Sequence, residues 1–143
     1  MTSPTVFTLT AFIAWALLLL VLMAIMRSQL VLRGKVPANG FTPDNAGLSP
    51  FMQRLARAHA NCVESLPVFG GLLLLAIVTE KTAITDPLAY MFLASRIIQS
   101  LVHLVSTSPI AVMVRFAAFA AQIIIGLYWV FLLLSLQFST GVA

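Results

Sequence analysis

An all-α integral membrane protein, built as a bundle of four transmembrane helices, is the fold class this sequence predicts. Composition is the first reason: of 143 residues, 61% are hydrophobic and 8% charged, and mean hydropathy is +1.05, whereas a soluble domain carries roughly 25% charged residues. The second reason is that the apolar residues form long continuous runs rather than short alternating ones, the pattern of spanning helices and not of a membrane β-barrel. The third is punctuation. Charged, Pro-bearing and Gly-bearing breaks divide the chain into runs at about residues 6–26, 51–79, 87–105 and 111–138, expected to form a single domain over residues 1–143.

Each element has its own warrant. A short polar lead, Met1 to Thr5, precedes the first run, and about 20 apolar residues suffice to cross about 30 Å of hydrocarbon. The run lacks the basic start and small-residue cleavage site of a signal peptide and is closed by Arg27, so it reads as a retained span. From Arg27 to Pro50 the chain holds Pro37, Gly40, Pro43, Asn45 and Gly47, the composition of a loop. A connection of that length is usually functional or disordered, and this one is placed to cover a site. Ser49 and Pro50 then give an N-cap and a first-turn proline to the second helix. Pro67 is expected to kink that helix, and Gly70 and Gly71 allow a close neighbour. A turn from Glu80 to Asp86, with Thr85 or Asp86 as cap, leads to a third helix with Pro87 in its first turn. A tight turn from Ser106 to Pro109 opens the fourth helix. There Ala117, Ala118, Ala120 and Ala121 offer a small surface for packing, and Tyr128 and Trp129 mark the approach to the far interface.

Polar residues inside these spans are costly unless they face protein or water, so their placement is informative. At about 100° per residue, Arg54, Arg57, Asn61, Glu64 and Ser65 share one side of the second helix. His59 and Cys62 lie off that stripe and read as packing residues. Arg96, Gln99, His103 and Ser106 fall on one stripe of the third helix, and Arg115 opens the fourth with Gln122 on its face. The first loop and the start of the second helix carry Arg27, Arg33, Lys35, Arg54 and Arg57 against Asp44, which assigns that side to the cytoplasm and both termini to the opposite side. The chain's net charge of +4 therefore reports topology and contact with the lipid bilayer, not a nucleic-acid partner. In this arrangement three helices bring polar groups to one level. Several cations, one carboxylate, amides and imidazoles suit a zwitterionic ligand with more anionic than cationic groups. The same residues also read as buried pairing that fixes helix register without a ligand, and His103 as a side chain snorkelling to water. Two histidines on different helices and one cysteine give no metal-ligand spacing, so no metal is expected.

The run Arg57-Ala-His-Ala-Asn61-Cys-Val-Glu64-Ser-Leu-Pro67-Val-Phe69 resembles the second-helix signature of the membrane-associated proteins in eicosanoid and glutathione metabolism, the MAPEG family. The resemblance extends over nearly the whole chain, with Arg96 matching a third-helix arginine. It implies a homotrimer that binds glutathione as co-substrate between subunits at the cytoplasmic side, through Arg57, Asn61 and Glu64. By position, Arg96, Gln99 and His103 join them as candidate binding residues. A transferase also needs a cation near sulfur, because the thiolate is the nucleophile. The arginine that the family's enzymes place at the turn into the fourth helix corresponds here to about Ile110, and Arg115 is the nearest candidate for that catalytic role. Third-helix tyrosines of several members correspond to Gln99 and His103, and a tyrosine after the glutamate to Ser65. Two readings follow: a membrane glutathione transferase or peroxidase acting on lipophilic electrophiles or lipid hydroperoxides, or a non-catalytic protein of the same fold that holds a lipophilic small molecule or acts as a scaffold.

Overall fold

The computed structural model describes residues 3–140 of the chain. In chain order the elements are α1 (Pro4–Leu32), α2 (Pro50–Ser65), a π-helical segment (Leu66–Gly70), α3 (Gly71–Val78), α4 (Thr82–Val105) and α5 (Pro109–Thr140). Because α2, the π segment and α3 are continuous, the chain forms four rods. Each is long and apolar enough to cross a membrane: Pro4–Leu32, Pro50–Val78, Thr82–Val105 and Pro109–Leu136. The fold is a four-helix membrane bundle with no strand among the described residues. Met1 and Thr2 of the polar lead, and the two chain ends assigned to the non-cytoplasmic side, lie outside the described residues.

Three expectations about the elements are corrected. The first helix does not stop at Arg27 but runs to Leu32, since no helix breaker intervenes before Gly34, whose φ of 65° turns the chain. The connection is therefore residues 33–49. The second turn is also shorter than Glu80 to Asp86: α4 begins at Thr82, after Glu80 has reversed the chain in a left-handed conformation with φ 58°. Pro87 consequently lies inside α4, where its missing N–H removes one hydrogen bond of the helical ladder. Asp86 does cap a helix, but the neighbouring one. Its Oδ1 accepts from the Thr5 backbone N–H at 2.9 Å, the Thr5 hydroxyl at 2.7 Å and the Ser3 hydroxyl at 2.6 Å, satisfying one open backbone donor at the start of α1. Finally, Trp129 is not an interface residue. It is fully buried and packs on Phe92 with ring centroids 5.6 Å apart, while Tyr128 beside it is exposed.

The irregularity expected at Pro67 takes the form of the π segment. Proline has no N–H to continue the ladder, and the Ser65 hydroxyl donates to the carbonyls of Asn61 at 2.7 Å and Cys62 at 3.0 Å.

Packing centres on α4, which touches α1, α2, α3 and α5, whereas α5 packs on α4 and α3 without extended contact with α2. A cleft is left between α2 and α5. The core below it is aromatic: Phe92 lies 5.8 Å from Phe12, 5.0 Å from Phe69 and 5.6 Å from Trp129, centroid to centroid. Such pairs contribute about 0.5 to 1.5 kcal/mol each beyond the area they bury. Gly126 lets α5 approach this core, because a Cβ there would stand 2.7 Å from Phe69 Cε1. Leu17, Val21, Ile124 and Phe131 point outward and are exposed, as lipid-facing residues must be.

Candidate functional site

The polar end of the bundle is assembled by the start of α2, the end of α4, the start of α5 and the loop over them. Ser49 caps α2 by accepting from Met52 N–H at 3.3 Å, with Pro50 in the first turn. The loop is fastened at Asn45, which is fully buried and left-handed with φ 57°. Its Oδ1 accepts from Arg27 Nε at 2.8 Å and its Nδ2 donates to the Met52 carbonyl at 2.8 Å. Arg27 also donates to the Thr42 carbonyl at 2.8 Å and lies 5.2 Å from the Phe41 ring centroid. Next to this anchor stands Asp44, which the sequence shows only as a loop residue. Its carboxylate accepts from the Thr42 hydroxyl at 2.7 Å and Ala46 N–H at 3.1 Å. The Thr42 hydroxyl bond, then that from Ala46, holds its pKa below the usual carboxylate value, so it is ionised at neutral pH.

Along α2, Arg54 Nε donates to the Leu104 carbonyl at 2.8 Å, tying the start of α2 to the end of α4. Arg57 and Glu64 are exposed, and among the described residues neither makes a hydrogen bond or ion pair. Asn61 is half-buried, its Oδ1 accepting from Arg96 Nη1 at 2.8 Å. Arg96 itself has no exposed surface. Its guanidinium carbon lies 5.3 Å from the Phe12 centroid and 5.9 Å from the Phe69 centroid, and its Nε and Nη2 have no hydrogen-bond partner. Gln99 is buried and accepts from Gln122 Nε2 at 3.0 Å. His103 and Arg115 are half-buried, and Arg115 Nε is buried without a partner. Of the two residues off the stripe, Cys62 is fully buried 3.4 Å from the Ser100 hydroxyl, and His59 is half-buried.

Four adjoining cavities occupy this end. A loop-side cavity of about 350 Å³ is bordered by Asp44, Arg57, Asn61, Glu64 and His103. Next to it, a cavity of about 260 Å³ between α4 and α5 is bordered by Asn61, Gln99, His103, Arg115 and Phe119. A basic cavity of about 300 Å³ has Gln53, Arg54, Arg57, His103 and Thr107 on its walls. An apolar one of about 300 Å³ runs from Asn61 and Glu64 past Val68 and Phe69 to Phe119 and Ile123. Arg57, Asn61, Glu64, Gln99, His103 and Arg115 thus line neighbouring cavities that share walls at Asn61 and His103. Arg96 lines none of these four cavities and stands behind Asn61, orienting its amide. Asp44, Gln53 and Thr107 are walls that periodicity along the helices does not reveal. The signal for Asp44 was the loop's length, and for the other two their place at element ends.

Fold and cavities together define a four-helix membrane protein with a polar, ligand-sized space at one end of the bundle. The chain belongs to the MAPEG family, whose model matches residues 5–135. No curated protein and no solved structure gives a match. Membership places the chain among the membrane proteins of glutathione and eicosanoid metabolism.

The donor set suits a ligand that carries more anionic than cationic groups. Arg57 and Glu64 are exposed and uncommitted, Arg115 presents a nitrogen without a partner, and Asn61 has its carbonyl engaged so that its amide donors remain free. A ligand with two carboxylates and one ammonium meets complementary charge there.

Proposed function

We propose that this protein is a membrane glutathione transferase or peroxidase, which conjugates glutathione to lipophilic electrophiles drawn from the bilayer or uses two glutathione molecules to reduce a lipid hydroperoxide to its alcohol and water, leaving glutathione disulfide. The observation that carries the reading is that Arg57, Asn61, Glu64, Gln99, His103 and Arg115 line adjoining cavities, beside an apolar one bordered by Val68, Phe119 and Ile123. In this reading Glu64 holds the γ-glutamyl ammonium, Arg57 a carboxylate, and the Asn61 amide, held by Arg96, a backbone carbonyl of the tripeptide. Gln99 and His103 line the path of the cysteinyl residue. Arg115 provides positive charge beside sulfur, favouring the thiolate over the thiol, and the proton leaves to water through the open cavity. The thiolate then attacks an electrophilic carbon whose apolar remainder lies beside Val68, Phe119 and Ile123, forming the C–S bond as the leaving group departs with its bonding pair. With a hydroperoxide it attacks oxygen instead, the O–O bond breaks to release the alcohol, and a second glutathione completes the disulfide with loss of water.

Equilibrium binding of glutathione to purified protein tests the assignment. Glu64→Gln keeps shape and removes charge, so affinity is expected to fall by about 1 to 3 kcal/mol. No binding by the unaltered protein at millimolar glutathione overturns the site. The second reading, a non-catalytic lipid-binding or scaffold protein, has one observation in its favour: Ile110, at the turn into α5, is 75% exposed and supplies no cation. Binding without any thiolate signal or conjugation of an aryl halide would select it.

The site is further proposed to lie at the cytoplasmic surface of a homotrimer, supported by the cation-rich loop and by an exposed Arg57 and Glu64 that a single bundle leaves uncovered. On a Cys62→Ser background, a cysteine introduced at exposed Ala38 is expected to react with impermeant reagent only from the cytoplasmic side, and native mass spectrometry to show a trimer. Labelling from outside, or monomer at every concentration, would remove the corresponding half of the proposal.

A further inference from the structure

Charge is segregated among the cavities. The loop-side cavity contains both local carboxylates, Asp44 and Glu64, with Arg57. The basic cavity shares Arg57 and His103 with it but adds Arg54, Gln53 and Thr107, and has no carboxylate in its lining. Arg54 is already oriented for a ligand. Its Nε is fixed on the Leu104 carbonyl at 2.8 Å, and neither terminal nitrogen makes a hydrogen bond among the described residues.

Glutathione carries two unlike carboxylates. One shares its carbon with the ammonium, and the other, at the glycyl end, has no cation beside it. An isolated carboxylate is repelled by Asp44 and Glu64, whereas the ammonium-bearing end is attracted; between Arg54 and Arg57 the preference reverses. A guanidinium fork with both terminal nitrogens free matches a carboxylate bidentately. Resting on the glutathione reading above, we propose that the basic cavity binds the glycyl carboxylate, with Arg54 as its specificity-determining residue. The γ-glutamyl end then lies under the loop, and the central cysteine falls at His103, the residue that borders both cavities and also the one containing Arg115. A lipid phosphate offers the same oxyanion chemistry, and the experiment separates the two sources.

The measurement is equilibrium binding of glutathione and of its glycyl monoethyl ester to the purified full-length protein in phospholipid-free detergent. Unaltered protein is expected to prefer the free acid by about tenfold or more, the worth of a charge-assisted hydrogen bond. Arg54→Gln is expected to abolish that preference by weakening only the free acid. Because this substitution also frees the Leu104 carbonyl, Gln53→Glu provides a second variant at an exposed position, and it too should weaken the acid and spare the ester. Equal affinity for acid and ester in the unaltered protein, or equal loss of both in the variants, overturns the assignment while leaving glutathione binding intact. A preference untouched by Arg54→Gln, together with weakened binding of short-chain phosphatidic acid, overturns it in favour of a lipid headgroup. Failure of the unaltered protein to bind either form instead brings down the glutathione reading itself, and this inference with it.

Discussion

Replacing Asn61 by Leu is expected to destabilise the folded subunit by about 3 kcal/mol, although the residue borders open cavities and looks like a dispensable contact. Its Oδ1 accepts from Arg96 Nη1 at 2.8 Å, a far stronger acceptor than the Cys62 sulfur that the guanidinium also approaches, and Arg96 has no exposed surface. Removing one partner of a buried charged group costs much more than the intact interaction contributes, because the charge is left in a medium that cannot solvate it. The Phe12 and Phe69 rings at 5.3 and 5.9 Å soften this penalty without replacing a hydrogen bond. Thermal unfolding in detergent gives the test, and a double variant distinguishes causes. Asn61→Leu with Arg96→Met removes both the amide and the charge, so most of the lost stability should return. An Asn61→Leu protein that melts like the unaltered one would show that Arg96 does not depend on this bond.

Arg115→Ala should separate binding from chemistry. The residue borders the cavity between α4 and α5 but neither the loop-side one nor the basic one, where the two charged ends are proposed to sit. Glutathione affinity is therefore expected to change by no more than about twofold, a few tenths of a kcal/mol. The thiolate absorbance of the complex should disappear, as the bound thiol returns toward an ordinary pKa of about 8.5. Conjugation of an aryl halide at neutral pH should be lost in parallel, and Arg115→Lys, which retains charge, should restore part of both. Thiolate absorbance that survives Arg115→Ala would assign sulfur activation to another cation.

The bundle was legible from composition and run length because hydrocarbon allows so few solutions: a long apolar run must be a helix, and its polar members must look inward. That logic located Asn61, Arg96, Gln99 and His103 without any knowledge of contacts. Helix ends were less legible. The lack of a breaker before Gly34 permits the first helix to run to Leu32, but the charge of Arg27 reads as its end, because nothing local shows that Arg27 is accommodated by Asn45 and the Thr42 carbonyl across the loop. The same holds for Asp86, whose partners are residues 81 and 83 positions away in sequence. Arg96 shows a further limit. Its stripe predicts that it faces inward, but not that it stands behind Asn61 instead of beside the ligand. Asp44 reaches the site only through a buried, left-handed Asn45, a conformation that sequence pattern does not disclose.

The π segment at Leu66–Gly70 gives the second rod two independent clocks. Asn61 and Phe69 are eight positions apart, which in an uninterrupted α-helix would set them about 80° apart around the axis. Accommodating one additional residue in the wide turn subtracts about 100°, leaving them within about 20° of each other. Both consequently reach the same guanidinium, Asn61 through its carbonyl oxygen and Phe69 through its ring. Reach across the bilayer and angular phase are thus set separately in this rod. Loss of a single residue between Leu66 and Gly70 would close the wide turn into ordinary α-helix and keep that phase, whereas tightening the turn with every residue retained would swing the polar half by about 100°, away from the cleft toward lipid.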